Sequence, residues 1–108
     1  MRPRVSNEIP PDEAERIAAA VAAVPGVAGL HGGMFGEVGT YLPGRRVVGV
    51  RIGKERVDVH VTLTLDTPVR PTADAIQRAV ATLTTLPVDV TIEDVVPVTP
   101  SAAGRETS

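Results

Sequence analysis

VDVHVTLTLD, residues Val57 to Asp66, decides how the rest of this chain is read. Val57, Val59, Val61, Leu63 and Leu65 alternate without a break against Asp58, His60, Thr62, Thr64 and Asp66. Successive side chains of a strand point to opposite sides of the sheet, so a period of two makes one apolar and one polar face. The stretch is a half-buried strand. A lone strand cannot offset the backbone entropy it loses, so this one needs neighbours in a sheet and a layer over its apolar face.

The neighbours lie on both sides in sequence. Val47 to Ile52 is a strand with Val48, Val50 and Ile52 on one face and Gly49 and Arg51 on the other. The polar turn Gly53 to Arg56 joins it to the organising strand as a hairpin. Val27 to Leu30 is a further short strand. Between these two, His31 to Arg46 holds Gly32, Gly33, Gly36, Gly39, Gly44 and Pro43, together with both aromatic residues, Phe35 and Tyr41. A connection of this length in a compact domain is either functional or disordered.

Two amphipathic helices supply the covering layer. In the first, Pro11 suits the opening turn and Asp12, Glu13 and Glu15 favour the positive end of the helix dipole. Ala14, Ile17, Val21 and Val24 form its apolar stripe, and Pro25-Gly26 ends it. In the second, Pro71 is expected at the first helical position and Ala73, Ile76, Val80 and Leu83 form the stripe, up to Leu86-Pro87. Val88, Val90 and Ile92 then alternate with Asp89, Thr91 and Glu93 as a last strand. A strand–helix–strand connection crosses over right-handed, so this strand should run parallel to Val57–Leu65. The expected fold is α+β, a two-layer sandwich with a mixed sheet of about four strands and two helices on one face, in the order α-β-β-β-α-β. Residues 1–9 read as a flexible N-terminus, 10–96 as one domain and 97–108 as a disordered tail.

Composition narrows the chemistry. With 108 residues, one Phe, one Tyr and no Trp, the core must be aliphatic. No cysteine means no disulfide and no thiolate site. The formal net charge of -2, with signs mixed along the chain, provides no field for a polyanion, so nucleic acid is not favoured. The N-terminal residues carry no apolar segment of the secretory kind, and the run from Ile17 to Leu30, broken by Pro25 and Gly26, is too short to span a bilayer. The expected location is the cytoplasm.

No catalytic constellation is visible, and no metal or cofactor is expected. His31 and His60 are the two histidines, and a pair meeting in space with Asp58 or Glu37 could ligate a metal, although an isolated histidine on a polar face is usually just solvated. Glu93 and Asp94, as neighbours on a strand, should point to opposite faces and so cannot form an acid–base pair. The glycine-rich segment lacks Gly-Lys-Ser/Thr and precedes a strand, so it is no phosphate loop; Arg45 and Arg46 add only a weak anion signal. Met34, Phe35, Tyr41 and Leu42 are either a partner anchor or a cover folded back over the core. The polar sheet face, with Arg51, Asp58, His60, Thr62, Thr64, Thr91 and Glu93, is either solvated or stacked on another copy. The candidate interaction residues are therefore Phe35, Tyr41, Arg45, Arg46, Arg51, Asp58, His60 and Thr62.

Gly26 to Gly33 (GVAGLHGG), Gly49 to Asp66 (GVRIGKERVDVHVTLTLD) and Ile76 to Val95 (IQRAVATLTTLPVDVTIEDV) together carry a family resemblance. Over about Ile9 to Val96 the chain resembles the alkaline shock protein, or envelope stress response, family. The resemblance implies a small bacterial protein without enzymatic activity, linked to cell-envelope stress. It implies action by association with itself or with a protein partner, including a membrane-anchored one that would hold it at the inner face of the cell membrane. The alternative is an RNA-binding module of the KH type, whose Gly-x-x-Gly loop has the letters of Gly33 to Gly36; in KH domains that loop joins two helices.

Overall fold

The computed structural model describes residues 12–98. The expectations for residues 1–9 and for Pro11, and those for 99–108 in the C-terminal tail, fall outside the described residues. The elements are α1 (Glu13–Ala22), β1 (Val27–Leu30), β2 (Gly39–Leu42), β3 (Arg45–Val48), β4 (Val50–Ile52), β5 (Val57–Thr64), α2 (Val69–Ala81) and β6 (Val88–Val96). The α+β composition and the mixed four-stranded sheet are as expected; β2 and the start of β3 lie in the segment expected as a long loop.

β5 is the centre of the sheet. Along one edge it pairs in parallel with β6 from Val57↔Val88 to Thr64↔Val96. Along the other it pairs antiparallel with β4 through Val50↔Val59 and Ile52↔Val57, and with β1 through Leu30↔Val61 and Val27↔Leu63. β4 and β1 thus lie end to end against one edge of β5. Val57, Val59, Val61 and Leu63 are completely buried, while Asp58, His60, Thr62 and Thr64 are half-buried on the opposite side. Leu65, expected in the buried series, lies beyond the strand's end and is exposed, because the chain turns away at Asp66 with φ 76°.

Both helices cover the apolar face. Asp12 caps α1 by accepting from the Ala14 N–H at 3.0 Å, and the Glu15 carboxylate accepts from the Asp12 N–H at 3.0 Å, a reciprocal capping box. Ala14, Ile17, Val21 and Val24 are buried, as the stripe predicts. α2 begins at Val69, so Pro71 stands third in the helix and not first. It is tolerated there because the N–H groups of the first turn have no intrahelical partner. Ile76 and Val80 join Ile17, Val21 and the β5 valines in one core.

Gly49 breaks the expected strand Val47–Ile52 in two. Its φ is 85°, and a Cβ there would stand 2.8 Å from Leu30 Cβ and 3.0 Å from both His31 N and His60 O. It occupies the junction where β1 and β4 meet: the His31 N–H donates to His60 O at 2.8 Å and the His60 N–H donates to Gly49 O at 2.9 Å. The kink resets the alternation. Val47 and Val50 are buried and Val48 is exposed, where an unbroken strand would have placed Val48 with Val50.

The segment read as a long loop contains a hairpin of its own. β2 pairs antiparallel with β3 from Gly39↔Val48 to Leu42↔Arg45, closed by Pro43-Gly44. Proline supplies the φ for the first central position of a tight turn, and Gly44 supplies the positive φ, 78°, for the second. Val47 and Leu42 root this ladder in the core.

β6 carries a bulge. Val61 pairs with Ile92 but Thr62 pairs with Asp94, so Glu93 is the extra residue. The expectation that Glu93 and Asp94 face opposite ways is corrected by it. Glu93 reaches the His60 side chain, and Asp94 stands in register with Thr62, which puts both on the polar side of the sheet.

Candidate functional site

The chain leaving β1 makes a tight turn from Gly33 to Gly36, closed by the Gly36 N–H donating to Gly33 O at 3.1 Å. Both glycines have positive φ, 88° and 73°. Met34 and Phe35 occupy the corner and are 80% and 86% exposed. They do not fold back over the core; of the four apolar residues considered for that role, only Leu42 packs against it.

The turn is fastened on every side. His31 Nδ1 accepts from the Gly33 N–H at 2.9 Å, and the Glu37 carboxylate accepts from the Phe35 N–H at 3.0 Å. Val38, almost fully buried, anchors the far side: its N–H donates to Gly32 O at 2.7 Å and its carbonyl accepts from the Gly49 N–H at 3.0 Å. Arg46 donates to Gly36 O and to Val38 O, and Arg51 donates to Glu37 O at 2.6 Å. The Glu37 carboxyl is held below the ordinary glutamate value of 4.5, first by hydrogen bonds from its own and the Phe35 backbone N–H groups, then by the charges of Arg51 and His60.

Arg46 ties the turn to the hairpin. It is the cross-strand partner of Tyr41, and its guanidinium carbon lies 5.3 Å from the Tyr41 ring centroid, within cation–π range. Gly39 leaves room for it, since a Cβ at that position would stand 2.8 Å from Arg46 Nε. Tyr41 is 78% exposed. One guanidinium therefore touches both the backbone of the turn, at Gly36 O, and the ring of Tyr41. Arg45 has a different task. Its guanidinium grips both oxygens of Glu15, which clamps the hairpin to α1 and lowers the Glu15 pKa.

The remaining candidates lie on the polar sheet face. Arg51 stands opposite Asp58, and His60 pairs through Nδ1 with Glu93, both only partly exposed. Thr62 neighbours Asp94 in register. The eight residues thus form two groups, Phe35, Tyr41, Arg45 and Arg46 at the hairpin and Asp58, His60 and Thr62 on the face, with Arg51 reaching from the face to Glu37. His31 and His60 serve separate partners, and no cluster of three or more His, Asp or Glu among the described residues is placed to hold a metal ion. Nothing in the sequence signals that the Glu37 carboxylate braces the turn or that Gly39 leaves room for Arg46. The legible signal is two large apolar residues enclosed by glycines.

A second feature lies at the corner between α2 and β6. Glu13, Ala81, Thr82, Leu83, Thr84, Thr85 and Leu86 line an open depression of about 560 Å³. Two of its hydroxyls are already engaged: Thr82 donates to Ala79 O at 2.8 Å, and Thr84 accepts from the Leu86 N–H at 3.1 Å.

Fold and site together define an α+β protein with a two-helix layer, a mixed sheet and a braced apolar tip. No protein-family model, no curated protein and no solved structure matches this chain. Among the described residues no helix is long and apolar enough to cross a membrane. The Gly33–Gly36 segment connects β1 to β2, where a KH loop would connect two helices.

Proposed function

We propose that this protein is a non-enzymatic interaction module that acts by protein–protein association through the tip formed by Met34, Phe35 and Tyr41. The carrying observation is that Met34 and Phe35 are held outward by a turn whose backbone is hydrogen-bonded to His31, Glu37 and Arg46. Large exposed apolar side chains on a fastened turn lose little further entropy when a partner covers them. Burying Met34 and Phe35 together would contribute roughly 3–6 kcal/mol gross, at about 1.5–3 kcal/mol each. Tyr41 beside an arginine adds the residue types that dominate interface centres. The resemblance to the envelope stress response family supports the same reading and extends it to a role in cell-envelope stress, with a membrane-anchored protein among the partners.

The test is affinity capture from the membrane and soluble fractions of a bacterial lysate with two baits, the native chain and the Phe35→Ser/Met34→Ser double variant. The expected result is a set of retained proteins, the chain itself included, that the double variant loses. Equal retention by both baits overturns the reading.

A further inference from the structure

β6 is an edge strand. It pairs with β5 along one side, and among the described residues no strand pairs with its other side. The ladder fixes which backbone groups face that way. The Val57 N–H donates to Pro87 O at 2.9 Å, and the bonds of a parallel ladder then fall on every second residue. Asp89 and Thr91 thus spend their backbone groups on β5, while those of Val88, Val90 and Ile92 point outward. Beyond the bulge at Glu93 the Leu65 N–H donates to Val96 O at 2.6 Å, which turns Val95 outward.

Both ends of this edge are stopped by side chains. Gln77 Nε2, on α2, donates to Val88 O at 2.9 Å, and the Asp94 carboxylate accepts from the Val95 N–H at 2.8 Å. Each supplies a bond that a neighbouring strand would make. Between the stops, the N–H and C=O groups of Val90 and Ile92 have no partner among the described residues. The side chains of the same two residues pack against the core yet stay only half-buried, and Thr91 between them is exposed. The apolar layer under the helices runs out to this edge and is left open there.

We propose that β6 binds an extended segment of another protein by strand addition at Val90 and Ile92. Outward backbone groups at the spacing of a sheet are matched by another extended backbone, and alternate apolar side chains of that segment continue the layer that Val90 and Ile92 leave open. The stops set its length. A segment of about five residues fits between Gln77 and Asp94. The nine residues of a second copy's β6 would overrun both stops and bring their own bulge. The occupant is therefore a short linear segment, apolar at every second residue. β6 lies across β5 from β1 and the Met34–Phe35 turn that follows it, so this surface is separate from the tip.

Amide hydrogen exchange of the whole chain, followed by NMR, is the first check. Val90 and Ile92 should exchange fast, with Asp89 and Thr91 slow beside them. Protection of Val90 and Ile92 in the free chain at every concentration means that the chain's own residues cover the edge, and protection that grows with concentration means that a second copy does. Either result overturns the inference.

The second check is selection of binders from a phage library of random linear peptides on the immobilised native chain, with Val90→Pro as the comparison. Proline there removes an outward N–H and no bond of the β5 ladder, and circular dichroism melting establishes that the variant is folded. N-methylation of alternate residues in a selected peptide tests the same bonds against the native chain. Selected peptides are expected to alternate apolar and polar residues and to slow the Val90 and Ile92 amides at least about tenfold. Val90→Pro, or N-methylation, should weaken binding about tenfold or more, the scale of lost hydrogen bonds. Phe35→Ser should bind the peptides as the native chain does, which separates this inference from the role of the tip. Peptides that leave both amides exchanging fast, or that tolerate Val90→Pro and N-methylation alike, overturn the inference, as does a library that yields no binder.

Discussion

At the scale of the residue, glycines of similar φ are not equivalent. Gly36 and Gly49 both have positive φ, 73° and 85°, but a Cβ at Gly36 would meet nothing within 4 Å while one at Gly49 would press on Leu30 and on two backbone atoms. Gly36→Ala should therefore cost only the conformational term, about 1 kcal/mol. Gly49→Ala should cost at least about 2–3 kcal/mol, because backbone strain and a clash with atoms that cannot yield act together. Urea unfolding of the two variants measures the difference, and equal losses would show that β1 and β4 are free to part at Gly49. Phe35 is the opposite case. Since it is 86% exposed, Phe35→Ser should leave the unfolding free energy within about 0.5 kcal/mol of the native value while removing binding.

At the scale of the element, the hairpin and turn are held by carboxylates, and this makes their order pH-dependent. Glu15 is depressed by its hydrogen bonds from Arg45, and Glu37 by its backbone N–H donors. A carboxyl whose folded value lies below its unfolded one contributes stability above the unfolded value and loses it as pH falls through the folded one. Acidification from about 4.5 downward should thus loosen the Arg45–Glu15 clamp and the Phe35 amide, with the sheet still folded. In a proton–nitrogen NMR titration the Phe35 amide and Arg45 side-chain signals should shift in that window ahead of β5. Simultaneous loss of all signals would mean that the hairpin has no independent order. In α1, Asp12→Ala removes the capping box and should cost about 1 kcal/mol, read as a lower melting temperature.

At the scale of the whole molecule, β5 is the strand on which everything converges. It pairs with β1, β4 and β6, and its apolar face meets both helices. Val59→Ala, at a fully buried position in its middle, should cost about 2–4 kcal/mol through lost burial and the cavity left behind. Because every layer shares that strand, circular dichroism and the fluorescence of Tyr41, the one tyrosine in the chain, should lose structure in a single shifted transition. Two separate midpoints would show that the β2–β3 ladder unfolds by itself.

The central strand, both helices and the parallel last strand were legible in sequence because each repeats its apolar residues at its own period over several turns or pleats. The Pro43-Gly44 turn was read only as part of one long loop, because the short strands flanking it, with burial on only part of one side, carried too few repeats to announce themselves. The kink at Gly49 and the bulge at Glu93 could not be read, since each is one residue whose effect depends on the strands it lies against, and each reverses the facing of the residues beyond it. The exposure of Met34 and Phe35 was likewise open in the sequence. Only the tertiary structure decided it, by placing His31, Val38, Arg46 and Arg51 where their hydrogen bonds hold the turn away from the core.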